Sequence, residues 1–399
     1  IRICIQVLTT LVITKKGITI KFDTKTVHAG IKPDKETGAI IPPLHQTATY
    51  VLEEVGKNKG FDYTRSANPT RQMMEEHLAA LDGGKYGIAF ASGMSAVDSC
   101  LKFLKSGDHI VCSDNVYGGV FRLFNQVLVN YGLEFTYVDS SNFENVENAI
   151  RPETKLIWIE TPSNPLLKIT DLEAVGAIAK KHNILFGVDS TFATPALLRP
   201  LEFGADLVMH SISKYISGHN QLVGGIVITN REDLAEYLQF IQKTIGAVPS
   251  PFNCWLTLLG VKTLDLRMKK HNENAMAIAE YLEENPKVAT VAYPGLFSHP
   301  NHSVAKEQMS GFGGMISFEL SGGIKAGKTL MHSVRLAQLA ESLGAVETMI
   351  THPITMTHGD LPKDERIARG LSDGLVRISV GIENVDDIIA DLKQAFAKV

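Results

Sequence analysis

Leu207-Val208-Met209-His210-Ser211-Ile212-Ser213-Lys214-Tyr215-Ile216-Ser217-Gly218-His219 is a short apolar strand that runs into a polar loop. A lysine placed just after a strand and preceded by two hydroxyls suits one task. Its amine can form a Schiff base with an aldehyde while Ser211 and Ser213 hold a phosphate of the same molecule. On its own this signal is weak, and a solvated lysine in a polar loop is the default reading. Its neighbours in the chain decide the matter.

Upstream, Asp189 ends the apolar strand Ile184–Val188. The carboxyl ends of strands in open α/β sheets are where ligands bind. A carboxylate there can pair with a ring nitrogen and keep it protonated, which makes the ring an electron sink. The bland alternative is a helix N-cap. Ala91-Ser92-Gly93-Met94-Ser95-Ala96 reads as a strand end, a glycine turn and a helix start. Free N–H groups and the helix dipole suit a phosphate there. Tyr117, in Asn115-Val116-Tyr117-Gly118-Gly119, can stack on a flat ring. No GxGxxG and no GxxxxGK[ST] occurs, so dinucleotide and P-loop readings lack their usual support.

Outward from these motifs, strand-like runs alternate with helix-like ones. Strands are expected at 88–91, 109–112, 134–138, 156–160, 184–189, 207–210 and 225–229. Helical stretches follow at about 94–104, 121–129 and 172–182. Such alternation predicts an α/β fold with a mostly parallel sheet and helices on both faces. Past Pro249–Pro251 it stops. One long helical stretch, 257–284, is followed by two strands, 314–320 and 375–379, and a closing helix, 386–398. The expected organisation is an N-terminal extension and arm over 1–60, without regular pattern, a large α/β domain over 61–258 and a smaller α+β domain over 259–399.

Composition sets the outer limits. Of 399 residues, 44% are hydrophobic and 21% charged, which gives a globular chain with a sizeable core. Lys and Arg number 39 against 43 Asp and Glu, a net charge of −4, so no nucleic-acid partner is expected. Cys4, Cys100, Cys112 and Cys254 form no CxxC pair and no disulfide framework, which fits a reducing cytoplasm. No metal site is expected. Residues 1–14 are too short an apolar stretch to span a bilayer, which takes about 20 residues, so no membrane partner is expected either. They read as a stray extension outside the fold.

One more stretch completes a pattern: Tyr63-Thr64-Arg65-Ser66-Ala67-Asn68-Pro69-Thr70-Arg71. Together with the Lys214 loop and Asp189 it resembles the pyridoxal-phosphate enzymes of cysteine and methionine metabolism, the cystathionine γ-synthase/γ-lyase family. The resemblance implies fold type I, the aspartate aminotransferase-like architecture, with pyridoxal 5′-phosphate as cofactor and a small amino acid as substrate. It implies that Lys214 is the Schiff-base lysine, that Asp189 faces the pyridine nitrogen and that Tyr117 stacks on the ring. Ser92, Gly93, Met94, Ser211 and Ser213 then surround the phosphate. Tyr63 and Arg65 complete that site from a neighbouring subunit, in a homotetramer built as a dimer of dimers with shared active sites.

The substrate end follows from the same resemblance. Glu160-Thr161-Pro162-Ser163-Asn164-Pro165 places Asn164 near the cofactor hydroxyl and the substrate carboxylate. Arg377 clamps that carboxylate, and the Ser342 carbonyl lines the pocket. Glu341, Arg122 and Asp62 are expected at its far end, which suits a substrate with a second amino-acid head such as cystathionine. The favoured activity is cystathionine γ-lyase. The runner-up is cystathionine γ-synthase, and a catalytically idle homologue is a third reading. Ser190, Ala67 and Asn220-Gln221 depart from the common family residues.

Overall fold

The computed structural model describes residues 20–356, 366 and 369–399. The stretch 1–14 lies outside the described residues. Seven strands build the first sheet: β1 (Tyr86–Phe90), β2 (His109–Ser113), β3 (Glu134–Val138), β4 (Thr154–Glu160), β5 (Leu185–Asp189), β6 (Leu207–Ser211) and β7 (Gly225–Thr229). Their order is β1-β7-β6-β5-β4-β2-β3. Only β7 is reversed, pairing antiparallel with β1 and β6. Every residue of β2 and β7 is buried, as apolar runs covered on both faces must be. Side chains alternate between two cores. Ile110 and Cys112 join Trp158, Met209 and the helix Gly93–Leu101 on one face. Val111 joins Ile157, Val188 and the helix Leu172–His182 on the other. Asp171 caps that last helix by accepting from Ala174 N–H, and Asn183 ends it at φ +53°, a conformation Asn tolerates.

The second sheet has five strands: β8 (Val288–Ala292), β9 (Met315–Leu320), β10 (Gln338–Leu339), β11 (Met349–Thr351) and β12 (Leu375–Ser379), in the order β10-β11-β12-β9-β8. The alternation of residue types in 314–320 and 375–379 predicts strands with an exposed face, which does not hold for β9. It is instead an inner strand with five of six residues buried. Ile316, Phe318 and Leu320 pack on Ile278 and Leu330, while Ser317 Oγ on the other face donates to the Pro165 carbonyl at 2.5 Å.

Three further expectations are corrected. The stretch 257–284 is two helices, Pro251–Val261 and Leu264–Glu283. They part at Lys262-Thr263, where the Gly260 carbonyl accepts from both Thr263 N–H and Arg267 Nη2 instead of continuing the ladder. The stretch 121–129 changes pitch, from α-helix at Gly118–Arg122 to π-helix at Leu123–Val127 and 3₁₀-helix at Leu128–Tyr131. The arm is not wholly irregular, since Phe22–His28 is a helix and Thr49 bridges to Tyr63. Among the described residues no helix is long and apolar enough to cross a membrane.

Candidate active site

Strands β4, β5 and β6 end side by side on Glu160, Asp189 and Ser211. Lys214 lies three residues beyond β6. Its loop is held from behind by the buried Arg267, which donates to the carbonyls of Tyr215 at 2.6 Å and Ile216 at 3.2 Å. The Lys214 amine donates to Ser342 Oγ at 2.8 Å. Burial pushes this amine down to about 8; the Arg377 charge acts in the same direction and the Glu341 carboxylate opposes it. A lysine so placed exchanges protons near neutral pH, as a surface lysine does not.

Asp189 is 5% exposed and accepts from Thr191 N–H at 3.0 Å. Burial pushes its carboxyl up, while hydrogen bonds from Thr191 and the His210 charge pull it back. Thr191 also ties β5 to the lysine loop, because its hydroxyl accepts from Ser211 N–H at 2.9 Å.

A cradle stands beside these groups. Ser92 caps the helix Gly93–Leu101 in a reciprocal arrangement with Ser95. The N–H groups of Gly93 and Met94 make no hydrogen bond among the described residues. A Cβ on Gly93 would lie 3.1 Å from Ser211 Oγ, so turn and serine face each other closely. A Cβ on Gly225 would lie 2.4 Å from the Ser92 carbonyl, so only glycine lets β7 approach the turn. Unpaired N–H groups at the positive end of a helix suit a phosphate. Ser213 is part of the frame, since its hydroxyl donates to Gly224 O at 3.3 Å and accepts from Gly224 N–H at 3.0 Å.

The Tyr117 N–H donates to Glu160 Oε2 at 2.7 Å. The tyrosine ring packs on Gly119, where a Cβ would sit 2.5 Å from Cε1 and 3.0 Å from Met94 Sδ. At 42% exposure the ring has surface open to a flat partner. Arg377, on β12, is 3% exposed and donates from Nη1 to Asn164 Oδ1 at 2.9 Å and from Nη2 to the Ser342 carbonyl at 3.2 Å. Burial pushes its guanidinium down to about 10. Ser342 has φ +115°, a conformation that costs a residue with a side chain. In that conformation its hydroxyl meets Lys214 and its carbonyl meets Arg377. Glu341, next to it, acts electrostatically on both of those cations.

The structure therefore gathers Lys214, Asp189, Tyr117, Asn164, Arg377, Ser342, Glu341 and the Ser92–Met94 turn. It does not bring Tyr63 and Arg65 to them within one chain. The Arg65 guanidinium donates to the carbonyl of Lys243 and lies 5.6 Å from the Tyr63 ring centroid. Neither Tyr63 nor Arg65 makes a described hydrogen bond to Ser92, Gly93, Met94, Ser211 or Ser213. Asp62 Oδ1 accepts from Tyr63 N–H at 2.6 Å. Arg122 is the exposed last residue of the helix Gly118–Arg122. Sequence reasoning missed Thr191, Gly225, Arg267 and any role for Glu160. Only Glu160 carried a signal, because it ends an apolar strand as Asp189 does.

A cradle that side chains would fill, a buried amine at about 8 and a buried carboxylate fit a pyridoxal phosphate. The comparisons agree. A model of the family described as Cys/Met metabolism PLP-dependent enzyme matches residues 23–397. A cystathionine beta-lyase of Lactococcus lactis subsp. cremoris (strain MG1363) is 48% identical over 375 residues, covering 94% of this chain and 98% of that protein. A cystathionine gamma-lyase of Bacillus subtilis (strain 168) is 47% identical over 380 residues, covering 95% and 100%. The crystal structure of a cystathionine gamma-lyase from Lactobacillus plantarum complexed with L-serine superposes with a TM-score of 0.93 at 43% identity, covering 95% and 99%.

Proposed function

The chain belongs to the Cys/Met metabolism PLP-dependent enzymes, with their fold-type-I architecture and their cofactor, and on that premise we propose that it is a cystathionine γ-lyase. The reaction releases cysteine, 2-oxobutyrate and ammonia from cystathionine and water by α,γ-elimination. When bound, the cofactor supplies an electron-withdrawing ring that stabilises negative charge developed on the substrate. Lys214 would hold its aldehyde carbon, Asp189 its ring nitrogen, Tyr117 its face and Asn164 its hydroxyl. Ser92, Gly93, Met94, Ser211 and Ser213 would hold its phosphate, with Tyr63 and Arg65 of a second copy reaching in.

Arg377, oriented by Asn164 and the Ser342 carbonyl, binds the substrate carboxylate. Lys214 Nζ, lowered to about 8, takes the proton from the α-carbon, gives that proton up, and as the free amine again takes one from the β-carbon. Tyr117 Oη hands a proton to the departing sulfur. Asp62 and Arg122 serve the far end of the pocket. The enzyme works in the cytoplasm as a homotetramer of two dimers.

The observation that carries this reading is Glu341, an acid whose charge reaches both Lys214 and Arg377. Cystathionine has a second ammonium group, and an anion within electrostatic reach of the pocket suits it. The Lactococcus relative favours a second reading, β-elimination of the same substrate to homocysteine, pyruvate and ammonia. Cystathionine γ-synthase shares the early proton transfers and remains the alternative for an O-acylhomoserine and cysteine. The idle reading loses its footing, since the lysine, aspartate and arginine converge. Its variant loop is an ordinary turn, with Asn220 at φ +53° donating to Glu347 at 3.1 Å. Product analysis separates the rest. Cystathionine alone should give 2-oxobutyrate; pyruvate would select β-elimination, and turnover only with an O-acylhomoserine and cysteine would select the synthase.

A further inference from the structure

Glu160 ends β4 and Asp189 ends β5, and the parallel register pairs them directly. Paired residues on neighbouring parallel strands project to the same face, with backbones about 4.8 Å apart. Both are nearly sealed from water, at 4% and 5% exposure. Two carboxylates in one dry space do not both stay ionised, because each charge raises the cost of the other. The question is which one keeps a proton.

Their surroundings differ. Asp189 accepts from the Thr191 N–H and hydroxyl and feels the His210 charge from β6. Glu160 accepts from the backbone N–H groups of Tyr117 and Asn164, and Arg377 on β12 is the cation that acts on it. Two thiols also stand near, Cys112 on β2 beside Glu160 and Cys100 on the helix Gly93–Leu101 beside Asp189, and burial keeps both protonated; Asp114 and Arg369 act on Cys112 in turn. Burial and the Asp189 charge hold Glu160 well above the usual carboxylate range.

Resting on the cofactor seat proposed above, we infer that Glu160 is carried unionised and acts as a positioning residue, anchoring Tyr117 through its backbone while leaving Asp189 the single anion for the ring nitrogen. Its Oε2 accepts the Tyr117 N–H and its other oxygen carries the proton. That bond fixes the turn into the helix Gly118–Arg122, and Gly119 then sets the plane of the Tyr117 ring. One side chain thus holds the turn that carries Tyr117 and stands next to the Asp189 carboxylate. An ionised Glu160 would put a second anion there and loosen the pairing of charge that Asp189 provides.

The test compares holoenzymes of wild type, E160Q, E160A and D189N. Glutamine has the shape and neutrality of a protonated glutamate. The infrared difference between wild type and E160Q should contain the carbonyl band of an unionised carboxyl group. The pH titration of the cofactor's visible band should move by less than about 0.3 pH in E160Q, because no charge is removed. E160A should loosen the cofactor about tenfold by leaving the Tyr117 N–H unpaired, and E160Q should restore affinity. Absence of the carbonyl band overturns the inference. So does a fall of about one pH or more in the E160Q titration, because loss of a real anion destabilises a nearby cation. If E160A does not fold, the two E160Q measurements decide. D189N separates the premise: an unchanged visible band and affinity there would reject the cofactor seat itself, while the infrared band would still report the state of Glu160.

Discussion

The amine of Lys214 and the hydroxyl of Ser342 share a 2.8 Å hydrogen bond that joins the end of the first sheet to the segment between β10 and β11. Ser342 adopts φ +115° at this contact, and its carbonyl turns to Arg377. One residue in a costly conformation therefore meets both Lys214, proposed as the base, and Arg377, proposed as the carboxylate clamp.

The Lys214 amine should titrate near 8 in the cofactor-free protein, measured by the pH dependence of its labelling with an amine reagent. The neighbours set the signs. Glu341 favours the charged amine, so E341Q should lower the midpoint. Arg377 disfavours it, so R377M should raise it. A midpoint near that of an ordinary surface lysine would contradict the burial of this group.

Arg377→Lys should raise KM for amino-acid substrates about ten- to a hundredfold with a smaller effect on kcat. A lysine is a point charge and cannot serve Asn164 Oδ1, the Ser342 carbonyl and a substrate carboxylate together. Steady-state kinetics check this, and an unchanged KM would count against the clamp.

Gly225→Ala should weaken cofactor binding at least about tenfold, read by titrating cofactor-free protein. The new methyl would press on the Ser92 carbonyl, which is backbone and cannot swing aside, so the phosphate turn must shift. Wild-type affinity in this variant would mean that the turn does not hold the phosphate.

Most of the first sheet was legible because its strands are continuous apolar runs separated by helical periods. All seven lie within a few residues of the pattern. The second sheet was only half legible. β10 and β11 are two and three residues long, too short for a period to show, and β8 is a five-residue apolar run, no more than half-buried, that follows directly on a long helix. The helix Phe22–His28 is too short and polar for a period to show. In the site, Asp189 announced itself as the polar end of a buried strand and Lys214 as a lysine in the loop just after one. The Glu160–Asp189 pairing, the Arg267 brace and the Gly225 approach depend on strand register and on contacts between distant segments, which no local window contains.

Sites shared between two chains should reveal themselves by complementation. Lys214→Ala and Arg65→Ala are each expected to be inactive, and they are mixed after unfolding and refolded together. If Arg65 serves the partner's phosphate site, one site of each hybrid dimer carries both lesions and the other carries none. With random pairing, roughly a quarter of all sites regain activity under two-fold symmetry. If Arg65 serves its own chain, where it reaches Lys243, every site keeps a lesion and the mixture stays inactive.

The central claim is that Lys214 holds the cofactor covalently. Reducing the holoenzyme with borohydride fixes that bond, and peptide mass spectrometry locates it. The account predicts the pyridoxyl group on Lys214 and its absence from that position in Lys214→Ala. A pyridoxyl group on any other lysine, or none on the wild-type chain, would contradict it.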